Sequence, residues 1–167
     1  MSKRFYLGIS ISALAIAGAL VAVFTGAFTS SPGATFGATP TGSEEVPPFN
    51  TIASGEAAFT LSADGASLTY KVTVSNISDV LASHIHLAPA GANGPIVAGL
   101  FAGAITGRFD GILAEGTITA ANLQGPLLGM TMDRLVAEMK AGNTYVNVHT
   151  VARGAGEIRG QIRQIVP

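Results

Sequence analysis

The feature that most constrains this 167-residue chain is a series of short alternating segments cut by turns rich in glycine, asparagine and aspartate. From Ser67 to Asn76, Leu68, Tyr70, Val72 and Val74 fall on one side, and Thr69, Lys71, Thr73 and Ser75 on the other. Successive side chains of a strand point to opposite faces, so this run reads as a half-buried strand. Gly55 to Leu61 repeats the pattern with Ala57, Phe59 and Leu61, and Asp64-Gly65 between the two runs predicts a hairpin. A second turn is expected over Ala90-Gly91-Ala92-Asn93-Gly94-Pro95, followed by a strand from Ile96 to Phe101. Ile112 to Thr119 reads as a further strand with a bulge or close backbone approach at Gly116. The stretch Asn76–Leu81 reads as a connection, and glycine-rich Gly103–Gly111 fits no element clearly. After a loop over Val151–Gly156, the last strand runs from Glu157 to Ile165. Ile158, Gly160 and Ile162 face inward there, with Glu157, Arg159, Gln161 and Arg163 outward.

One helix breaks the pattern. Between Met130 and Gly142, Met132, Leu135, Val136 and Met139 form an apolar stripe that should line the core. Thr131 suits the cap, Asp133 the positive end of the dipole, and Lys140 with Gly142 the exit. Many short strands with one late helix predict an all-β fold, an antiparallel Greek-key β-sandwich or barrel with one short helix.

The N-terminus has a different character. Lys3 and Arg4 precede an uncharged run from Phe5 to Phe28, long enough to cross a bilayer. Residues 1–28 therefore read as a transmembrane anchor or a secretory signal peptide, and either places the remainder outside the cytoplasm. Residues 29–42, rich in Ser, Thr, Pro, Gly and Ala, read as a flexible linker, and 43–167 as the β domain. Glu44-Glu45-Val46-Pro47-Pro48 reads as an edge or extended segment. From Ser43 onward, seven basic residues face ten acidic ones, which excludes the basic surface a nucleic-acid partner needs. With no cysteine, neither disulfides nor thiolate metal sites are available.

Candidate chemistry concentrates in two strands. The three histidines of the chain lie in Ser83-His84-Ile85-His86-Leu87 and Tyr145-Val146-Asn147-Val148-His149-Thr150. His84 and His86 share a face, Val146 and Val148 mark the apolar side of the second strand, and Tyr145, Asn147 and His149 take its polar side. If the strands are neighbours, His84, His86 and His149 converge on one patch outside the core, in the manner of a small metal site. Imidazole suits copper, zinc, iron and nickel; affinity in the divalent series peaks at copper, which makes copper the first choice and zinc the second. Tyr145, Asn147, Glu157 and Arg159 are candidates to orient the rings, with Glu157 and Arg159 also suited to an ion pair or cross-strand pair. A hydrogen-bonded polar cluster tying strands together is the plain alternative. No nucleophile–base pair, paired carboxylates or phosphate loop stands out.

Four blocks resemble the CHRD domain, a module named for its repeats in chordin: Glu45-Val46-Pro47-Pro48, His84-Ile85-His86 with Gly94-Pro95, 141–150 (AGNTYVNVHT), and 156–162 (GEIRGQI). The resemblance spans about 43–165 and implies an exported β domain with no settled biochemical activity. It also implies an immunoglobulin-like barrel similar to that of copper-zinc superoxide dismutase, which holds copper on a His-x-His strand. The chain lacks the histidines for the dismutase zinc site and one for its copper site. Three functions follow: a metal-binding module, a metal-free extracellular interaction domain, or a dismutase-like oxidoreductase using Arg159 or Arg153 to steer an anion. The sequence names no protein partner.

Overall fold

The structure, a computed structural model, describes residues 33–165. Strand β1 (Thr35–Ala38) is followed by β2 (Ser54–Leu61), β3 (Ser67–Leu87), β4 (Ile96–Thr119), helix α1 (Met132–Lys140), β5 (Thr144–Thr150), β6 (Ile158–Gln161) and β7 (Arg163–Ile165). Every strand pairing is antiparallel. The order β6-β5-β3-β2-β1-β7, with β4 on the other flank of β3, ends on two strands separated by Ile162 alone. The final segment therefore touches both ends of the sheet, which nearly closes into a barrel. The expected all-β architecture with one short helix is the one observed.

The 21-residue β3 organises this arrangement. Its first half pairs with β2, Leu68 opposite Leu61 and Val72 opposite Ala57; its second half pairs with β5. Along the opposite edge it pairs with β4 throughout, with register shifts that bend the ribbon. Two sequence expectations change here. Asn76–Leu81 is continuous strand rather than a connection, because the bulges at Asn76 and Asp79, both at positive φ, bend β3 without ending it. Gly103–Gly111 is also strand, which fuses Ile96–Phe101 and Ile112–Thr119 into the single 24-residue β4.

The Asp64-Gly65 turn forms as expected: the Asp64 carboxylate accepts from the Ser62 hydroxyl and the Ala66 amide, and Gly65 takes φ +72. Gly116 permits a close approach. It lies opposite Tyr70, and a Cβ there would sit 3.0 Å from the Tyr70 hydroxyl oxygen. In place, Tyr70 donates to the Leu100 carbonyl at 2.8 Å. The core joins Phe36, Phe59, Leu68, Val72, Ile85, Val97 and Val146 with Leu135 and Met139 of the helix, so the Met132/Met139 stripe does line it. Thr131 occupies the cap position, but its side chain makes no capping hydrogen bond.

Two boundaries also move. Thr35–Ala38 is strand, hydrogen-bonded between β2 and β7, so the flexible linker expected over 29–42 gives way to ordered sheet at Thr35. Its Phe36 is fully buried; a Ser/Thr/Gly composition hid a strand whose anchor is one aromatic residue. The Glu157–Ile165 strand divides at Ile162. The expected N-terminal span lies outside the described residues; among the described residues no helix is long and apolar enough to cross a membrane.

Gly116→Val should displace the Tyr70 ring and cost about 1–3 kcal/mol, as overpacking does. Urea unfolding would show it as a lower midpoint; an unchanged midpoint would contradict the packing described.

Candidate metal centre

Pairing of β3 with β5 sets His84 opposite Asn147, His86 opposite Tyr145, and Ala82 opposite His149. Directly opposed residues share a face, so all three imidazoles emerge on the same side of the sheet. Ring centroids lie 5.0 Å apart for His84–His149, 5.6 Å for His86–His149 and 5.8 Å for His84–His86. One nitrogen from each ring lies within 4.8 Å of the others. A tetrahedral ion bound at about 2.0–2.1 Å holds its donors about 3.3–3.4 Å apart, a contraction small enough for ring rotation. The convergence expected from the spacing is therefore present, and the three-histidine group is compatible with metal binding.

Each ring's hydrogen bonding shows which nitrogen is free. Nδ1 of His86 pairs with the Gly94 carbonyl at 2.9 Å, and Nδ1 of His149 with the Gly154 carbonyl at 3.1 Å. A carbonyl only accepts, so both nitrogens carry the proton and Nε2 keeps its lone pair. These two Nε2 atoms, and Nδ1 of His84, are shut off from solvent without a hydrogen-bond partner among the described residues. Burial pushes the His84 imidazole down to about 4, with His149 and then His86 adding repulsion. His86 and His149 are also lowered, mainly by burial, although their carbonyl partners pull the other way. All three rings are thus neutral at pH 7, the form that ligates metals.

The surroundings differ from the expectation in one respect. The polar side of the sheet is not an open patch: Tyr145, Asn147 and Arg159 are buried, His86 nearly so, and His84 and His149 half-buried. Arg159, expected to face outward, is 1% exposed. Its guanidinium lies 3.5 Å from the centre of the Tyr145 ring, which stacks on His86 at 4.9 Å and 13°. It also donates to the Asn93 side chain, the Pro89 carbonyl and the Gln161 side chain. The 88–95 turn is thereby held over the site, with the Gly94 amide donating to the Tyr145 hydroxyl and Asn93 donating to the Val46 carbonyl. Gly94 is needed there, because a Cβ would come within 1.9 Å of the Leu87 carbonyl oxygen.

Of the four residues expected to orient the rings, only Tyr145 packs face to face on a histidine, and none of the four hydrogen-bonds one. Glu157 accepts from Thr51 and Thr150 and forms no ion pair with Arg159. Asn147 donates to Glu45 at 3.4 Å. Burial raises the Glu45 carboxyl, partly offset by Asn147, Arg159 and Arg153. The orienting groups are the backbone carbonyls of Gly94 and Gly154. Their sequence signal was the glycine-bearing turn that follows each histidine strand and folds back onto it. Glu45 was legible only as part of a resemblance, since nothing local marks a buried carboxylate before two prolines.

Residues 36–162 match the CHRD domain family. The chain belongs to that family. No curated protein and no solved structure matches it. Within this CHRD domain, both histidine strands and the segment carrying Arg159 lie inside the matched span, as does Thr35–Ala38 from Phe36 onward.

The pH dependence follows from His84. Its folded value lies below the ordinary 6.5, so on acidification the unfolded chain takes up the proton first. The contribution of His84 to metal-free stability is complete above about pH 6.5 and is lost as pH falls toward 4. In chelator buffer, wild type should lose stability relative to His84→Gln across that window. Parallel urea-derived profiles for the two proteins would contradict the neutral buried ring.

Proposed function

We propose that this CHRD domain binds one transition-metal ion through His84, His86 and His149, copper first and zinc second. The observation that carries this reading is the set of three unpartnered, solvent-shielded imidazole nitrogens, two with their opposite nitrogen committed to a backbone carbonyl. Carbonyl-bound second nitrogens are how metal-ligating histidines are ordinarily oriented. Leaving buried acceptors unpaired costs about 1–3 kcal/mol each, and an ion at their focus would remove that cost. Three protein donors leave a coordination position for solvent or an exogenous ligand. Copper is preferred because nitrogen-donor affinity for divalent ions peaks there.

The N-terminal Lys3-Arg4 and the apolar run after it support export, by an uncleaved anchor or a cleaved signal peptide, with the domain outside the cytoplasm. A binding role for storage, delivery or protection fits better than a dismutase-like reaction. Arg159, one of the two cations that could have steered an anion, is buried beneath the 88–95 turn, and Arg153 lies 4.2 Å from the Phe49 ring centre.

Full-length protein purified with detergent and stripped of metal should take up one copper or zinc ion per chain. Its thermal midpoint should rise on loading, as for any ligand that binds the folded state. His84→Ala and His149→Ala should fold normally without metal but lose more than about 100-fold in affinity, beyond the 10–100-fold typical of a ring-orienting partner. A wild type that binds neither copper, zinc nor iron would overturn the reading and leave an extracellular interaction module.

A further inference from the structure

We propose that β4 is a self-association edge, on which a second copy of this chain pairs β4 to β4, antiparallel, about a two-fold axis through Phe109. The inference is independent of the metal site. One side of β4 is hydrogen-bonded to β3. Apart from that ladder, β4 backbone groups engage Leu123 through a bridge at Ala98, the Gln124 amide at the Val97 carbonyl, the Tyr70 hydroxyl at the Leu100 carbonyl and the Asn122 side chain at the Thr119 amide; among the described residues none of these contacts falls between Ala104 and Ala114. Such an edge presents unpaired amides and carbonyls to any strand that fits it. Of the usual guards on such an edge, lysine and proline are absent between Ile96 and Thr119, while β4 keeps its register shifts and the charges of Arg108 and Asp110, and a partner strand must match both.

What fits the edge is written in its own sequence. Ala104-Ile105-Thr106-Gly107-Arg108-Phe109-Asp110-Gly111-Ile112-Leu113-Ala114 has nearly the same character read in either direction. With Phe109 on the axis, Arg108 lies opposite Asp110 of the second copy, Gly107 opposite Gly111, Thr106 opposite Ile112, Ile105 opposite Leu113, and Ala104 opposite Ala114. A two-fold interface requires this self-complementarity, and only this register opposes the two charges. Gly107 and Gly111 both have positive φ, so the edge bends at points placed equally on either side of Phe109, with no side chain at either bend. Ile112, 49% exposed, gains a covering neighbour.

Within one chain, Arg108 and Asp110 pair at 3.1 Å with side chains 61% and 48% exposed. Arg108 also reaches the Asn76 side chain and Asp110 accepts from the Asn76 amide, which still leaves guanidinium donors free. At the axis, two such pairs become a ring of four alternating charges. Opposite charges across a strand pair favour association, and like charges placed directly opposite disfavour it.

The full-length protein in mild detergent, studied by sedimentation velocity, should show a concentration-dependent dimer. Arg108→Glu makes the segment acidic and Asp110→Lys makes it basic; each alone should sediment as a monomer, and an equimolar mixture should recover a dimer. Because both residues also brace Asn76, a second test leaves them intact. The chain has no cysteine, so Thr106→Cys mixed with Ile112→Cys should form a disulfide-linked dimer under mild oxidation. Neither protein alone should do so, since like positions lie about 20 Å apart in this register. A monomeric wild type, charge variants that dimerise unchanged, or cross-linking equal in the single-cysteine proteins and their mixture would each overturn the proposal.

Discussion

The hydrogen-bonded register between β3 and β5 is the constraint on which the site depends. It is anchored from the opposite face, where Ile85, Val146 and Val148 are fully buried. A slip of one residue would turn those apolar side chains out of the core and bring the histidines into it. Burying the aliphatic face thus determines where the imidazoles stand, even though they contribute little to the hydrophobic core. β3 can do this because it runs unbroken past two bulges: its first half completes the β2 hairpin, and its second carries His84 and His86 to β5.

A second layer makes the polar face unlike an ordinary solvated one. The 88–95 turn lies over it, and the Arg159–Tyr145–His86 stack, with Arg159 projecting from the neighbouring β6, fills the space beneath. Burial there acts in two directions. It removes the rings from water, which favours their neutral forms, and it makes an unpaired nitrogen expensive. Nature commonly resolves such a cost by pairing every buried polar atom, and the surrounding groups largely follow that rule. Among the described residues seven buried side-chain atoms are exceptions: single atoms of Glu45, Thr144, Asn147 and Arg153, and the three imidazole nitrogens, which converge on one another.

Much of this was legible in the sequence. The alternation at Leu68–Val74 gave the strand, its inward face and the hairpin, because a one-sided sheet leaves a period-two signature. His84-x-His86 and His149 were identified on their polar faces for the same reason. Asn76, Asp79 and the glycines of β4 misled because bulged strand and loop share a composition; only pairing with a partner strand distinguishes them. The burial of Arg159 leaves no mark in the sequence, since alternation separates two faces but does not say that both are covered. Thr35–Ala38 resembled a tether because its single large apolar residue, Phe36, is too little for a periodic signal. The carbonyls that orient His86 and His149 come from Gly94 and Gly154, and backbone acceptors leave no side-chain mark.

Long-range proton–nitrogen NMR of the imidazole rings, recorded on the metal-free protein and again with one equivalent of zinc, tests this account most directly. The account predicts Nδ1-protonated rings for His86 and His149 before loading. On loading, it predicts zinc-induced shifts at Nε2 of both residues and at Nδ1 of His84. Mixed tautomers in the free protein, with nitrogen resonances that zinc leaves unmoved, would contradict it.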